Sequence, residues 1–156
     1  MSPVVRSNWL LLALATLMSL AIYSQLQRQN AYLPITALDS NSIEHLEIWQ
    51  DGKVTTRLVR RNDGWVHASS GKPVEDPRLA DTILHLAQLP SLHHFSAAAH
   101  DLRAFGLKPP RYRLKLDDLT ILIGDLDPAS GLRYVRVGDQ IHLVSDSYTH
   151  YLKTRR

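Results

Sequence analysis

The chain has 156 residues, no cysteine, eight histidines, and 18 Lys+Arg against 15 Asp+Glu. Without cysteine, disulfide frameworks, thiol catalysis and Cys-ligated zinc are all excluded. The pI near 9.3 points toward nucleic acid, yet Arg6 and Arg28 bracket an apolar run and Lys153, Arg155 and Arg156 lie in the tail. What lies between is close to neutral, with no basic run to follow a phosphate backbone, so no nucleic-acid partner is expected.

The first element covers residues 7–27, twenty-one positions without a charge, centred on WLLLALATLMSLAI. At about 1.5 Å per residue a helix of that length reaches roughly 30 Å, the hydrocarbon thickness of a bilayer. Trp9 and Tyr23 stand where interfacial aromatics are favoured, so the lipid bilayer is the expected partner of residues 9–23. The triplet Ser19-Leu20-Ala21 falls inside the apolar run rather than after it, which reads as a retained transmembrane anchor instead of a cleaved signal. Ala15 and Ser19, small and four apart, suit close approach of a partner helix. Arg6 and the short amino-terminal tail favour an N-in orientation, with Arg28 pulling the other way. The expected localisation is a bacterial inner membrane, single-pass, with the following domain in the periplasm. The organisation read from the chain is an anchor over 1–28, a stalk over 29–42 and a single domain over 43–153.

Beyond Pro34, Ile43, Leu46 and Ile48 mark a strand over 43–49. Asp51-Gly52 follows at hairpin spacing, and a partner strand returns over 54–59. Asn62-Asp63-Gly64 turns the chain into a third strand over 65–68, giving an antiparallel meander in which Trp49 and Trp65 are core or half-buried. Asp76-Pro77 opens a helix, with Asp as N-cap and Pro at the first helical position. Leu79, Ile83 and Leu86 repeat on one face of that helix, Ala80 and Ala87 extend it, and Pro90 ends it. A short extended piece over 92–95 precedes a second short helix over 97–105, closed by Gly106.

Pro109-Pro110 forces an extended entry into the clearest alternation of the chain, Tyr112, Leu114, Leu116 against Arg111, Arg113, Lys115. Asp117-Asp118 turns it into an apolar strand over 119–123. The loop GDLDPASG over 124–131 leads to a hairpin, 134–137 and 140–144, across Gly138-Asp139. Asp146 can cap a terminal helix ending near Leu152. The fold class is therefore α+β: mainly antiparallel β-sheet with two or three short helices, preceded by one N-terminal transmembrane helix. Two blocks of strands, each followed by a helix, also suggest an internal duplication of order rather than of residues.

The stretch DLRAFGLKPP, the alternating strand after it, and LTILIGDLDPASGLRYVRVGDQIHLV resemble the bacterial domain-of-unknown-function family 4340 (DUF4340). Asp63-Gly64-Trp65 and the helix opened by Asp76-Pro77 fit the same pattern, so the resemblance spans about residues 46–152. The matching positions are turn glycines, a proline and sheet residues, which specify a fold and carry no chemistry. The resemblance implies an anchored envelope protein, of a kind often encoded beside ABC-transporter components, in an accessory or scaffold role. The chain departs from many relatives in holding one compact unit where they hold repeated ones.

For chemistry, the histidines are the first place to look. His93, His94 and His100 are the candidate metal ligands, since imidazole is the usual ligand for zinc or copper. Adjacent histidines on an extended segment point to opposite sides, however, and no H-E-x-x-H spacing exists. Asp125 and Asp127 sit in an oxygen-rich loop that lacks the third acidic position and closing Glu of a calcium site. No phosphate-binding glycine motif and no nucleophile elbow is present, so no catalytic residue and no cofactor is assigned and an enzyme is not expected. A surface remains: Arg111, Arg113 and Lys115, joined by Arg133 and Arg136 if their strands pair, would form a basic stripe suited to an acidic protein or to anionic headgroups. The expectation is a non-catalytic accessory or scaffold subunit of an envelope complex, with an envelope protein as partner. A periplasmic solute- or metal-binding module is the competing class.

Overall fold

The structure, a computed structural model, describes residues 15–21, 33–62, 64–148 and 152. The chain divides into two units, Met1–Tyr32 and Leu33–Arg156. In the first, residues 15–21 are helical, Ser19 Oγ donates to the Ala15 carbonyl at 2.8 Å, and Leu17, Met18 and Leu20 are exposed. No helix among the described residues is long and apolar enough to cross a membrane. The rest of the expected anchor lies outside them.

The second unit is built on one eight-stranded sheet. Its strands are β1 (His45–Gln50), β2 (Lys53–Arg61), β3 (Gly64–His67), β4 (His93–Ser96), β5 (Tyr112–Leu116), β6 (Leu119–Leu126), β7 (Arg133–Val137) and β8 (Gln140–Val144). They lie in the order β3-β2-β1-β5-β6-β7-β8-β4, and every neighbouring pair is antiparallel. The α+β class with a mainly antiparallel sheet stands. The meander and the later hairpins, which the sequence presents as separate blocks, are joined into one sheet by the pairing of β1 with β5.

That pairing is its own image about one point. Ile48 faces Leu114; two residues to either side, Leu46 faces Leu116 and Gln50 faces Tyr112. Each strand leaves this centre through a tight turn whose first residue, Asp51 or Asp117, has a φ of 49°. Aspartate tolerates the left-handed region better than most side chains. Beyond the turns, β2 and β3 are answered by β6 and β7. The order of the strands alone repeats about Ile48 and Leu114, for a helix follows β3 whereas β7 runs directly into β8.

Strand alternation puts Leu46, Ile48, Leu58, Tyr112, Leu114, Leu116, Ile121, Ile123, Val135 and Val144 in one buried cluster on the inner face. The helix α1 (Arg78–Ala87) closes it with Ala80, Ile83, Leu84, Leu86 and Ala87. Pro77, not Asp76, is the N-cap, and it offers no side-chain hydrogen bond. Asp76 acts one position earlier, its Oδ1 accepting from the Arg78 amide at 3.0 Å. Of the stretch read as stalk, the described residues from Leu33 onward join this core. Ile35 is buried, its amide donates to the Leu89 carbonyl at 2.9 Å, and Thr36 Oγ1 donates to the Ala87 carbonyl at 2.7 Å.

On the outer face a smaller cluster of Ala97, Leu107 and Ile141, with Phe95, Leu102, Phe105, Leu122 and Tyr134 packed around it, covers one end of the sheet. The segment above it is not the single helix expected over 97–105. It forms two 3-10 turns, Ala97–Ala99 and Leu102–Phe105. Ser96 and Asp101 each cap their own turn, accepting from the amides of Ala98 and Arg103. Two caps so close together divide the segment, because each restarts the chain from an extended residue. Gly106 closes the second turn in the left-handed region, as its sequence position predicts.

Candidate functional site

Part of the stretch that carries the family resemblance, Phe105, Gly106 and Leu107 with Gly124 and Asp125, meets at one joint. A Cβ on Gly124 of β6 would lie 2.2 Å from the Phe105 carbonyl oxygen, and one on Gly106 would lie 2.4 Å from the Asp125 carboxylate. The turn Leu102–Phe105 therefore rests directly on the backbone of β6, and Leu107 is buried beneath it. The Lys108-Pro109 peptide is cis. A depression of 370 Å³ beside this joint is lined by Asp51, Gly52, Gly106, Pro109, Pro110, Arg111 and Asp125. These positions build a corner where the turn meets the sheet.

The loop over 124–131 is engaged with itself. Asp127 accepts from the Ser130 amide at 3.1 Å and from the Ser130 hydroxyl. The Ser130 hydroxyl chiefly, with the amides of Ala129 and Ser130 and the Tyr134 hydroxyl, holds its carboxyl below the usual value despite some desolvation. Burial, and then the negative charge of Asp127, raise the Tyr134 phenol. The acidic oxygens that resemble calcium ligands in sequence are thus a capping device for their own turn.

The three candidate histidines are not gathered. His93 pairs with Leu143 and His94 with His142, so alternation turns them to opposite faces of β4. His100 stacks edge-on against Phe95 at 4.9 Å and Phe105 at 5.8 Å, on the outer face. Among the described residues no group of three His, Cys, Asp or Glu side chains is placed to hold a metal ion. The histidine with the most marked surroundings is one the sequence did not single out. His142 is buried, its Nδ1 lies 2.9 Å from Ser91 Oγ, and its ring is 5.9 Å from that of His94. Burial first, and the neighbouring His94 second, lower its pKa below the ordinary value of 6.5.

The five basic residues separate into three groups. Arg113 faces Leu122 across β5 and β6, and Leu122 faces Arg136 across β6 and β7, so these two share the outer face. Lys115 lies on that face with Arg113, opposite Thr120. Arg136 bends back to its own hairpin, with Nε donating to the Gly138 carbonyl at 2.8 Å and a 3.7 Å pair with Asp139. It lines a 310 Å³ cleft with His100, Asp101, Arg103 and Lys108. Arg133 falls on the inner face, where it bonds Asp146 through Nε and through Nη2 at 3.2 Å. Its Nη1 donates to the Gly124 carbonyl at 2.6 Å. Arg111 lies outside β5, its guanidinium 5.9 Å from the centre of the Tyr112 ring.

Around Arg113 and Lys115 the structure adds residues that the basic stripe omitted. Glu47 faces Lys115 and Trp49 faces Arg113 across β1 and β5, while Arg57 faces Glu47 across β1 and β2. Arg57 Nε donates to Glu47 Oε1 at 3.1 Å, and Trp49 Nε1 donates to Glu47 Oε2 at 3.1 Å. The Arg113 guanidinium lies over the Trp49 ring at 5.5 Å. Glu47 thus serves two donors from two strands, and Trp49 is held between it and an arginine. The Asp51-Gly52 hairpin alone would set Thr56 opposite Glu47; a bulge between Ile48 and Trp49 shifts the register by one and brings Arg57 there instead.

Residues 65–156 match the family described as Domain of unknown function (DUF4340). That match covers more than half of the chain, and the chain belongs to this family. It runs from Trp65 on β3 through α1, the glycine joint and the closing hairpin, so it takes in most of the inner core. No curated protein and no solved structure matches the chain.

Proposed function

We propose that the chain is a membrane-anchored, non-catalytic accessory or scaffold subunit of a bacterial envelope complex. Its N-terminal segment would lie in the inner membrane and its sheet domain in the periplasm. The observation that carries this reading is the uncharged run over residues 7–27, long enough to span a hydrocarbon core. The exposed Leu17, Met18 and Leu20 support it, since apolar side chains without a protein core favour lipid. Gly106 and Gly124 of the family's motif support the accessory role, because they serve the packing of a turn on the sheet. Tethering such a domain raises its local concentration beside membrane partners and does not require strong binding by the domain itself.

The reading is tested with the full chain expressed in a bacterium. Membranes are washed with alkaline carbonate and then extracted in mild detergent for copurification and mass spectrometry. Retention through the wash and recovery with a defined membrane assembly are the expected results. Release by carbonate, or a mature chain beginning beyond Tyr23, would remove the tether and the accessory role with it.

A further inference from the structure

We infer that the open half of the outer sheet face, over β1, β2 and β5, is an electrostatic docking surface for anionic lipid headgroups. The inference rests on the membrane-anchored reading and adds what the domain does beside the bilayer. Alternation brings Arg57 and Arg61 of β2 and Arg113 and Lys115 of β5 to this face, and all four are exposed. Glu47 is the one carboxylate that β1, β2 and β5 place among them. The other acids near these strands, Glu44, Asp51, Asp117 and Asp118, lie outside them in the connecting segments. The overall near-neutrality of the domain therefore conceals a separation of charge.

Three features favour lipid over an acidic groove-binding partner. The face is the broad side of paired strands, and the cavities of 310 and 370 Å³ lie elsewhere, around the 3-10 turns and the proline corner. A flat array of cations matches a flat array of phosphates. Half-buried Trp49 stands within the array, carrying Arg113 on its ring and presenting the amphipathic side chain that suits headgroup depth. Lys115 makes no ion pair among the described residues although Glu47 faces it, because Glu47 is engaged by Arg57 and Trp49.

Lack of native cysteine makes the test direct. A nitroxide is attached to full-length Thr120→Cys, an exposed outer-face position opposite Lys115, or as a control to Asp81→Cys on the exposed side of α1. The labelled chains are reconstituted with vesicles of phosphatidylcholine alone or mixed with phosphatidylglycerol, and collision with a water-soluble relaxant is measured. Phosphatidylglycerol is expected to cut access severalfold at Thr120 and to leave Asp81 unchanged. Salt, or the pair Arg113→Gln and Lys115→Gln in a chain with unchanged circular dichroism, should restore access. Equal access at Thr120 in both vesicle types, from a chain that floats with both, overturns the docking face and leaves the anchor intact. A chain that fails to float with neutral vesicles overturns the anchor instead. In that case flotation with phosphatidylglycerol supports the face, and its absence overturns the face as well. Protection by polyglutamate but not by phosphatidylglycerol overturns lipid in favour of an acidic polypeptide.

Discussion

The two faces of the sheet use the same strands for opposite purposes. On the inner face nearly every position of β1, β5 and β6 is a buried aliphatic or aromatic side chain packed against α1. On the outer face the alternate positions of the same strands include Glu47, Trp49, Arg113, Lys115 and Thr120, and among the described residues the two 3-10 turns cover the other end of the sheet, from Leu122 and Gly124 of β6 to β4. A sheet needs one apolar face to fold, and antiparallel sheets tolerate a solvated second face. The difference teaches that stability resides on one side of these strands, leaving the residues on the other free to answer to a partner.

The largest effect that can break this comparison comes from neighbours on β6. Ile121 is fully buried and Thr120, one residue earlier, is exposed on the other face. Ile121→Ala removes aliphatic volume from a packed core and is expected to lower unfolding stability by about 2–5 kcal/mol. Thr120→Ala should stay within about 0.5 kcal/mol. Denaturant titration of both variants checks the contrast, and comparable losses would mean that the outer face also carries the fold.

The next effect tests the joint where the covered part of the outer face is attached. Gly124 has no left-handed φ, so the cost of Gly124→Ala comes from contact alone. The new methyl would meet the Phe105 carbonyl oxygen at 2.2 Å and the Leu107 side chain at 3.1 Å. Backbone cannot rotate aside as a side chain can, so a loss of about 1–3 kcal/mol is expected, the usual range for overpacking. A denaturation midpoint equal to that of the native chain would show that the turn is not seated on β6 as described.

How much of this was legible in the sequence follows from the range of the interactions involved. Local chemistry was readable: the alternation around Leu114, the face of α1 from Leu79 to Ala87, the hairpin at Asp51-Gly52, and Gly106 at the end of its turn. The split of the 97–105 segment was also local, written in Ser96 and Asp101, but two competing caps are easily read as the ends of one helix. Long-range partners were not readable. Nothing near Arg133 announces that it turns inward to Asp146 and the Gly124 carbonyl while Arg113 stays exposed. The same holds for Gly124, whose neighbour Phe105 is distant in sequence, and for His142 and Ser91. Those pairings are set by register across strands, which a single sequence encodes only through its hydrophobic pattern.

The smallest effect separates the inner face into its aliphatic centre and its polar end at β8 and β4. Ser91 Oγ donates to the His93 carbonyl at 3.1 Å, so its proton is occupied and His142 Nδ1 must carry the hydrogen in their 2.9 Å bond. Gaining a second proton would place charge in a buried ring, which is why burial, and then His94, lower its pKa below 6.5. The unfolded chain takes up this proton near pH 6.5 and the folded chain only at lower pH. Between those points the unfolded state binds more protons, so stability rises with pH. The contribution is complete above pH 6.5 and is lost progressively as pH falls through the folded pKa. Denaturation midpoints measured from about pH 8 to pH 5 should therefore decline below neutrality in the native chain, and less steeply in His142→Gln, where an amide can keep the bond to Ser91 and cannot titrate. Equal slopes in the two proteins would show that His142 is not the buried neutral ring from which this end of the sheet is built.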